Sequence, residues 1–265
     1  MLGAIVGDII GSTRENLPIK CKDFDLFPRL STYTDDTVLT VAVADAILNG
    51  KGYDKTIKSY ARRYPLRGYG PKFMLWVRSS GIEPYNSLGN GSAMRVSPVG
   101  HAYDSDESVL MHAKKSAECT HNHPEGIKGA QAAALAIYLA RSGADKEDIR
   151  RQITGRFEYD LDRTVDSIRP DYRINLTCSG SVPEAIIAFL DSTDFEDAIR
   201  NAVSLGGDAD TQAAIAGAIA EAYYRGIPSS IFEKAWSKIP QSFQNIIVEF
   251  AAKYGSPEFP SKGLR

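Results

Sequence analysis

KGAQAAALAIYLA, from Lys128 to Ala140, decides the fold. Nearly every residue is small or apolar, the run outlasts an ordinary strand, and Ser142-Gly143 stops it. A helix that is apolar on most sides has to sit inside a multi-helix core, where small side chains let neighbouring backbones approach. The same reading spreads outward in both directions. Asp36 to Leu48 (DTVLTVAVADAIL) ends at Asn49-Gly50, and Glu107 to Cys119 follows the capping-type Asp104-Ser105-Asp106. Val182 to Leu190, Phe195 to Ser204, Asp210 to Tyr224 and Gln244 to Tyr254 continue the helical period. No run of Val, Ile and Thr alternates convincingly, so strands are not expected. These stretches predict an all-α, compact fold with residues 1–265 as one domain.

Gly-rich loops separate the helices: Gly7 to Glu15, Gly68 to Pro71, Ser87 to Gly100 and Gly206-Gly207. On a helical scaffold such loops are where binding groups sit. Residues 155–180 read as a polar surface excursion, and the Pro- and Gly-rich tail from Ser256 to Arg265 as loosely held.

A net charge of −2 with scattered Lys and Arg leaves no basic footprint, so no nucleic-acid partner is expected. The three cysteines, Cys21, Cys119 and Cys178, form no CxxC pair and leave one over. That pattern suits a reducing cytosol better than a disulfide framework. The opening MLGAIVGDIIGSTRE has the look of a signal segment, but it lacks a leading positive charge and Asp8 interrupts it. No apolar run reaches the roughly 20 residues of a membrane span. A soluble, cytoplasmic protein is the expectation.

Two acidic clusters carry the chemistry. Thr34-Asp35-Asp36-Thr37 and Gly206-Gly207-Asp208-Ala209-Asp210-Thr211 each open an apolar helix, and each offers two carboxylates and a hydroxyl. Each also reads as a simple N-cap, and the two roles are compatible. Brought together, four carboxylates would repel one another and hold protons, unless two divalent cations neutralised them. Oxygen-only donors favour Mg²⁺ or Mn²⁺; zinc would want His or Cys, and Asp-x-Asp lacks the EF-hand spacing. Near the start, Asp8 and Glu15 flank a Gly-containing turn. Asp8 reads as a buried carboxylate bonded to backbone N–H groups. Glu15 is either solvated or leans over the acidic cluster as acid, base or gate. Gly89 to Pro98 (GNGSAMRVSP) offers a cradle for a diphosphate, with Arg95 as counter-charge or brace. Thr120-His121-Asn122-His123 reads equally as a capping loop or a ligand contact, and too few soft ligands accompany the two His for zinc. Tyr223-Tyr224 is expected in the core or at the rim of the site.

With these motifs in order, the chain resembles the ADP-ribosylglycohydrolase family. GDIIGSTRE, YTDDT, GNGSAMRVSPVG, THNHPEGIKGAQAAALAI and LGGDADTQAAIAGAIAEAYY carry the resemblance across residues 3–224. It implies an orthogonal multi-helix bundle with a binuclear Mg²⁺ or Mn²⁺ centre, and Thr34, Asp35, Asp36, Asp208, Asp210 and Thr211 as ligands. Catalytic carboxylates are then sought among Glu15, Asp35, Asp36 and Asp210. Substrate contacts are expected from Ser87, Leu88, Gly89, Asn90, Gly91, Met94 and His121, chiefly along the segment that holds the diphosphate. Leu88 stands where other members carry Tyr, and Ala220-Glu221-Ala222 departs from relatives with a Gly near that Glu. The implied activity is hydrolysis of the bond between ADP-ribose and an acceptor, first a modified protein side chain, second a small derivative such as O-acetyl-ADP-ribose. A non-catalytic ADP-ribose-binding module and a diphosphate-cleaving hydrolase are the alternatives.

Overall fold

The computed structural model describes residues 1–255. Among them fifteen helices and no sheet form, with one isolated antiparallel bridge between Gly89 and Thr177. The first eight are α1 (Leu2–Gly11), α2 (Asp35–Leu48), α3 (Tyr53–Arg63), α4 (Pro71–Arg78), α5 (Gly91–Met94), α6 (Ser97–Ala102), α7 (Asp106–Glu118) and α8 (Pro124–Arg141). Then follow α9 (Lys146–Phe157), α10 (Val165–Ile168), α11 (Cys178–Leu190), α12 (Phe195–Ser204), α13 (Ala209–Tyr224), α14 (Ser229–Trp236) and α15 (Gln241–Tyr254). The all-α expectation holds. The Ser256–Arg265 tail lies outside the described residues. Among the described residues no helix is long and apolar enough to cross a membrane.

The hub is α13, whose residues from Ala209 to Ala222 are all buried and which packs on α1, α8, α11 and α12. Its main partner is α1, whose second half, Gly7 to Gly11, was expected to belong to a Gly-rich loop. Leu2–Gly11 is helical and wholly buried, because Gly3, Gly7 and Gly11 recur every four residues and turn one bare stripe toward α13. A methyl group on Gly7 would lie 2.0 Å from the Ala213 carbonyl oxygen, and one on Gly3 2.1 Å from that of Gly217. At the far end of α13, Glu221 accepts from the Gly3 N–H at 2.8 Å and locks the pair in register.

Gly7→Ala is therefore expected to destabilise, although Ala in a helix interior is ordinarily worth up to about 1 kcal/mol over Gly. Forcing two backbones apart should cost about 3 kcal/mol or more, on the order of 6–12 °C in melting temperature. A thermal melt equal to or above wild type would contradict the close α1–α13 contact.

Other expectations are adjusted. The Ser87–Gly100 stretch contains α5 and the start of α6, and α8 begins four residues before Lys128, with Pro124 in its first turn and His123 as its cap. Helices α3, α4, α9 and α14 escaped the sequence reading because few of their residues are buried. Residues 155–180 take in the end of α9, the short α10 and the start of α11, and Tyr159, Leu161, Val165 and Ile168 anchor them in the core. Tyr223 and Tyr224 pack on Phe189 at the end of α13 remote from its acidic start, away from any role at the rim.

Candidate active site

The α1–α13 pairing delivers two acidic helix starts to one place. From within α1, Asp8 reaches the start of α2 and accepts from Thr34 N (3.0 Å), Thr34 Oγ1 (2.7 Å), Thr37 N (3.1 Å) and the Thr37 hydroxyl. It is the buried, backbone-bonded carboxylate expected, and it anchors α2 to α1. Thr34 in turn caps α2 by accepting from Asp36 N at 3.3 Å. Because α13 lies on the same α1, Asp208 and Asp210 arrive beside Asp35 and Asp36. A direct bond ties the clusters: Thr211 Oγ1 donates to Asp36 at 3.0 Å.

These groups line a cleft of about 530 Å³, a volume suited to a small-molecule ligand. Glu15, Asp35, Asp36, Asp208, Asp210 and Thr211 face it, as do Ser87, Gly89, Asn90, Gly91, Met94 and His121. Thr34 and Leu88 are not in its wall. Thr34 is turned to Asp8, and Leu88 is 41 % exposed while its carbonyl accepts from Cys178 N at 2.9 Å. The loop carrying Ser87 to Gly91 is fixed from two sides: Ser87 N donates to Thr120 O, and Asn90 N to Leu176 O. Asn90 Nδ2 donates to Asp208 at 2.6 Å and so joins this loop to the acidic cluster. His121 and His123 do not converge, since His123 Nδ1 accepts from Glu125 N in capping α8.

Several wall residues were not foreseen: Leu39, Gly68, Gly70, Pro71, Lys72, Phe73, Tyr85 and Leu176. Of these, Gly68 and Pro71 bounded a loop already marked for binding. Gly68 has φ +101°, and a Cβ there would meet Asp35 Oδ1 at 3.0 Å, so the carboxylate depends on a bare backbone beside it. Leu176 comes from the excursion and carried no signal beyond its hydrophobicity. Arg95 acts as a brace and also lines the cleft. It is fully buried and donates to Ser116 O (3.0 Å) and Thr120 Oγ1 (2.8 Å), and among the described residues no carboxylate pairs with it.

Burial first, and mutual repulsion second, raises the acids. Asp35 is pushed up to about 8, by burial and by Asp8. Asp36 and Asp210 lie well above the usual carboxylate range, through burial and then through Asp210 and Asp208 respectively. Asp208 is raised by burial against the opposing pull of Asn90, and Glu15 by burial and then Asp208 and Asp8. Among the described residues none of the four Asp side chains is paired with a Lys, Arg or His. Nor do three or more His, Cys, Asp or Glu stand as a group that could hold a metal ion in this arrangement. The donor chemistry still fits hard cations: oxygen atoms alone, several charges, and no internal cation to neutralise them.

The family model described as ADP-ribosylglycohydrolase matches residues 1–254. The chain belongs to the ADP-ribosylglycohydrolase family. It is thus a glycohydrolase-type enzyme. Its sequence is 31% identical to the ADP-ribosylhydrolase ARH3 of Homo sapiens, over 80% of this chain and 73% of that protein. It is 29% identical to the ADP-ribosylarginine hydrolase Tri1 of Pseudomonas putida (strain GB-1), over 90% and 74% of the two chains. A solved structure described as an ADP-ribosylglycohydrolase-related protein complex superposes with a TM-score of 0.74 and 26% identity, covering 97% of each chain.

Proposed function

We propose that this member hydrolyses the glycosidic bond between ADP-ribose and an acceptor, removing mono-ADP-ribose from a protein side chain. The observation that carries the reading is the union, in one cleft, of the buried Asp36, Asp208 and Asp210, the half-buried Asp35, Glu15 and the Asn90-anchored glycine loop. The names of the relatives support the ADP-ribose substrate.

Two divalent cations, Mg²⁺ or Mn²⁺, would be held by Asp35, Asp36, Asp208 and Asp210 with Thr211, and would supply positive charge and lower the pKa of bound water. The chain itself supplies orientation. Asn90 aims Asp208, Thr211 aims Asp36, and Gly89 and Gly91 let a ligand approach the backbone without meeting a Cβ. Tyr85 and Phe73 give the cleft apolar walls on which flat or apolar ligand parts can lie. Glycosidic cleavage passes through an oxocarbenium-like state, so a nearby carboxyl must take a proton from water or give one to the leaving group. Glu15 suits that role, because its raised pKa lets it hold a proton nearer neutral pH than an exposed Glu.

The test is product analysis after incubation with arginine- and serine-linked ADP-ribosyl peptides and with O-acetyl-ADP-ribose, each with Mg²⁺, Mn²⁺ or EDTA. Release of intact ADP-ribose from a peptide supports the proposal, and the preferred peptide names the linkage. AMP as product would move the chemistry to the diphosphate. Turnover of the acetyl ester alone would make the substrate a small molecule.

Stability offers a second readout. Acids with raised folded-state pKa bind more protons folded than unfolded across about pH 4 to about pH 8, so metal-free stability falls as pH rises through that window. Cations need the ionised carboxylates and bind better at the alkaline end. At a hundred times Kd they add about 2.7 kcal/mol, on the order of 5–10 °C in melting temperature. Melting curves in EDTA and in Mg²⁺ or Mn²⁺ should therefore diverge most near pH 8. Superimposable curves at every pH would remove the cation site.

A further inference from the structure

One chain of hydrogen bonds leads from the core to the cleft. Arg95 has donors only, and its Nη2 gives one to Thr120 Oγ1 at 2.8 Å. The same hydroxyl oxygen lies 2.7 Å from His121 Nδ1. Having accepted from Arg95, the hydroxyl must place its own hydrogen on an acceptor. The Cys119 sulfur beside it is a weak one. Nδ1, at 2.7 Å, is the strong one, which makes Nδ1 the acceptor and leaves the ring proton on Nε2.

We propose that Arg95 and Thr120 are positioning residues that hold His121 as the neutral tautomer protonated at Nε2, so that one N–H donor faces the diphosphate of the ligand above the Gly89–Gly91 loop. The inference rests on the ADP-ribose reading given above and extends it to the two residues that hold the His121 ring from behind. His121 is 5 % exposed and lines the cleft, and among the described residues its Nε2 has no protein partner. Nε2 stands 3.2 Å from where a Cβ on Gly91 would sit and 3.6 Å from that on Gly89. Both glycines thus leave room in front of the donor for a ligand atom. The opposite tautomer would turn a lone pair toward the anion. Burial and the unpaired Arg95 charge both work against a doubly protonated ring.

The experiment is ¹⁵N–¹H correlation spectroscopy of the four histidines in the full chain, with His121 assigned by substitution, together with ADP-ribose titration. Wild type is expected to show the Nε2–H pattern at His121. Thr120→Val should lose the single-tautomer pattern and weaken ADP-ribose binding about tenfold, the loss of one hydrogen bond to a charged group. Thr120→Ser should restore both, which a merely structural role for Thr120 would not require. An Nδ1–H pattern in wild type overturns the proposal, and so does an unchanged pattern in Thr120→Val. Should the Val variant fail to fold, the wild-type spectrum alone decides. A wild-type Nε2–H pattern without any ADP-ribose binding would overturn the substrate reading and the ligand half of this proposal, while the lock itself would stand.

Discussion

Asp210→Asn is expected to abolish ADP-ribose release, by at least about a thousandfold in kcat, while the metal-free protein keeps or raises its melting temperature. The two effects have one cause. Asp210 is buried among Asp208, Asp8 and Glu15 and is held well above its ordinary pKa, so its negative charge is a burden on the metal-free fold. Asn preserves the shape and an oxygen that accepts from Thr211 N, as Oδ1 does at 2.9 Å. It removes only the charge, which the folded protein tolerates poorly and cations need. Asp35→Asn and Asp36→Asn should behave alike, since Asp36 keeps its acceptor for Thr211 Oγ1. Chromatographic assay of released ADP-ribose and a melt in EDTA check both halves. A kcat within tenfold of wild type would remove Asp210 from the ligand set, and a large drop in metal-free stability would mean that the lost activity reports misfolding.

Glu15→Gln should lower kcat by about 10²–10⁴, the usual range for removing a general acid or base. ADP-ribose affinity should change little, because Gln matches Glu in size. Glu15 is half-buried at the cleft edge, on the stretch between α1 and α2, and the charges of Asp208 and Asp8 raise its pKa after burial does. The pH–rate profile should therefore lose one limb in the variant. Calorimetric titration beside steady-state kinetics separates the cases. If affinity falls as far as kcat, Glu15 holds the ligand and carries no proton. An intact profile would assign the limb to one of the four Asp.

Much of this was legible without coordinates. Lys128 to Ala140 and Asp210 to Tyr224 read as buried helices because chains of small side chains have no other way to be stable in water. The acids at Asp35, Asp36, Asp208 and Asp210 were visible as oxygen-only sets at two helix starts. Helices α3, α4, α9 and α14 were not seen, since each buries a narrow face and its exposed residues dilute the period. The first helix was misread for another reason. Glycines every four residues resemble a flexible loop until a second helix is known to lie on them.

The sequence by itself determined the composition of the site, because the ionisable and metal-binding character of Asp, Glu, Thr and His belongs to each side chain. It also determined that the fold is helical, because periodicity is local. Only the tertiary structure decided which of those groups meet. The bare stripe of α1 against α13 sets the approach of Asp208 and Asp210 to Asp35 and Asp36. The route of the chain puts Tyr85, Phe73 and Leu176 around them. The burial of Arg95 behind Thr120 sets the direction in which His121 donates. Each depends on distances between residues far apart in sequence, and these are set by packing against partners that local patterns do not name.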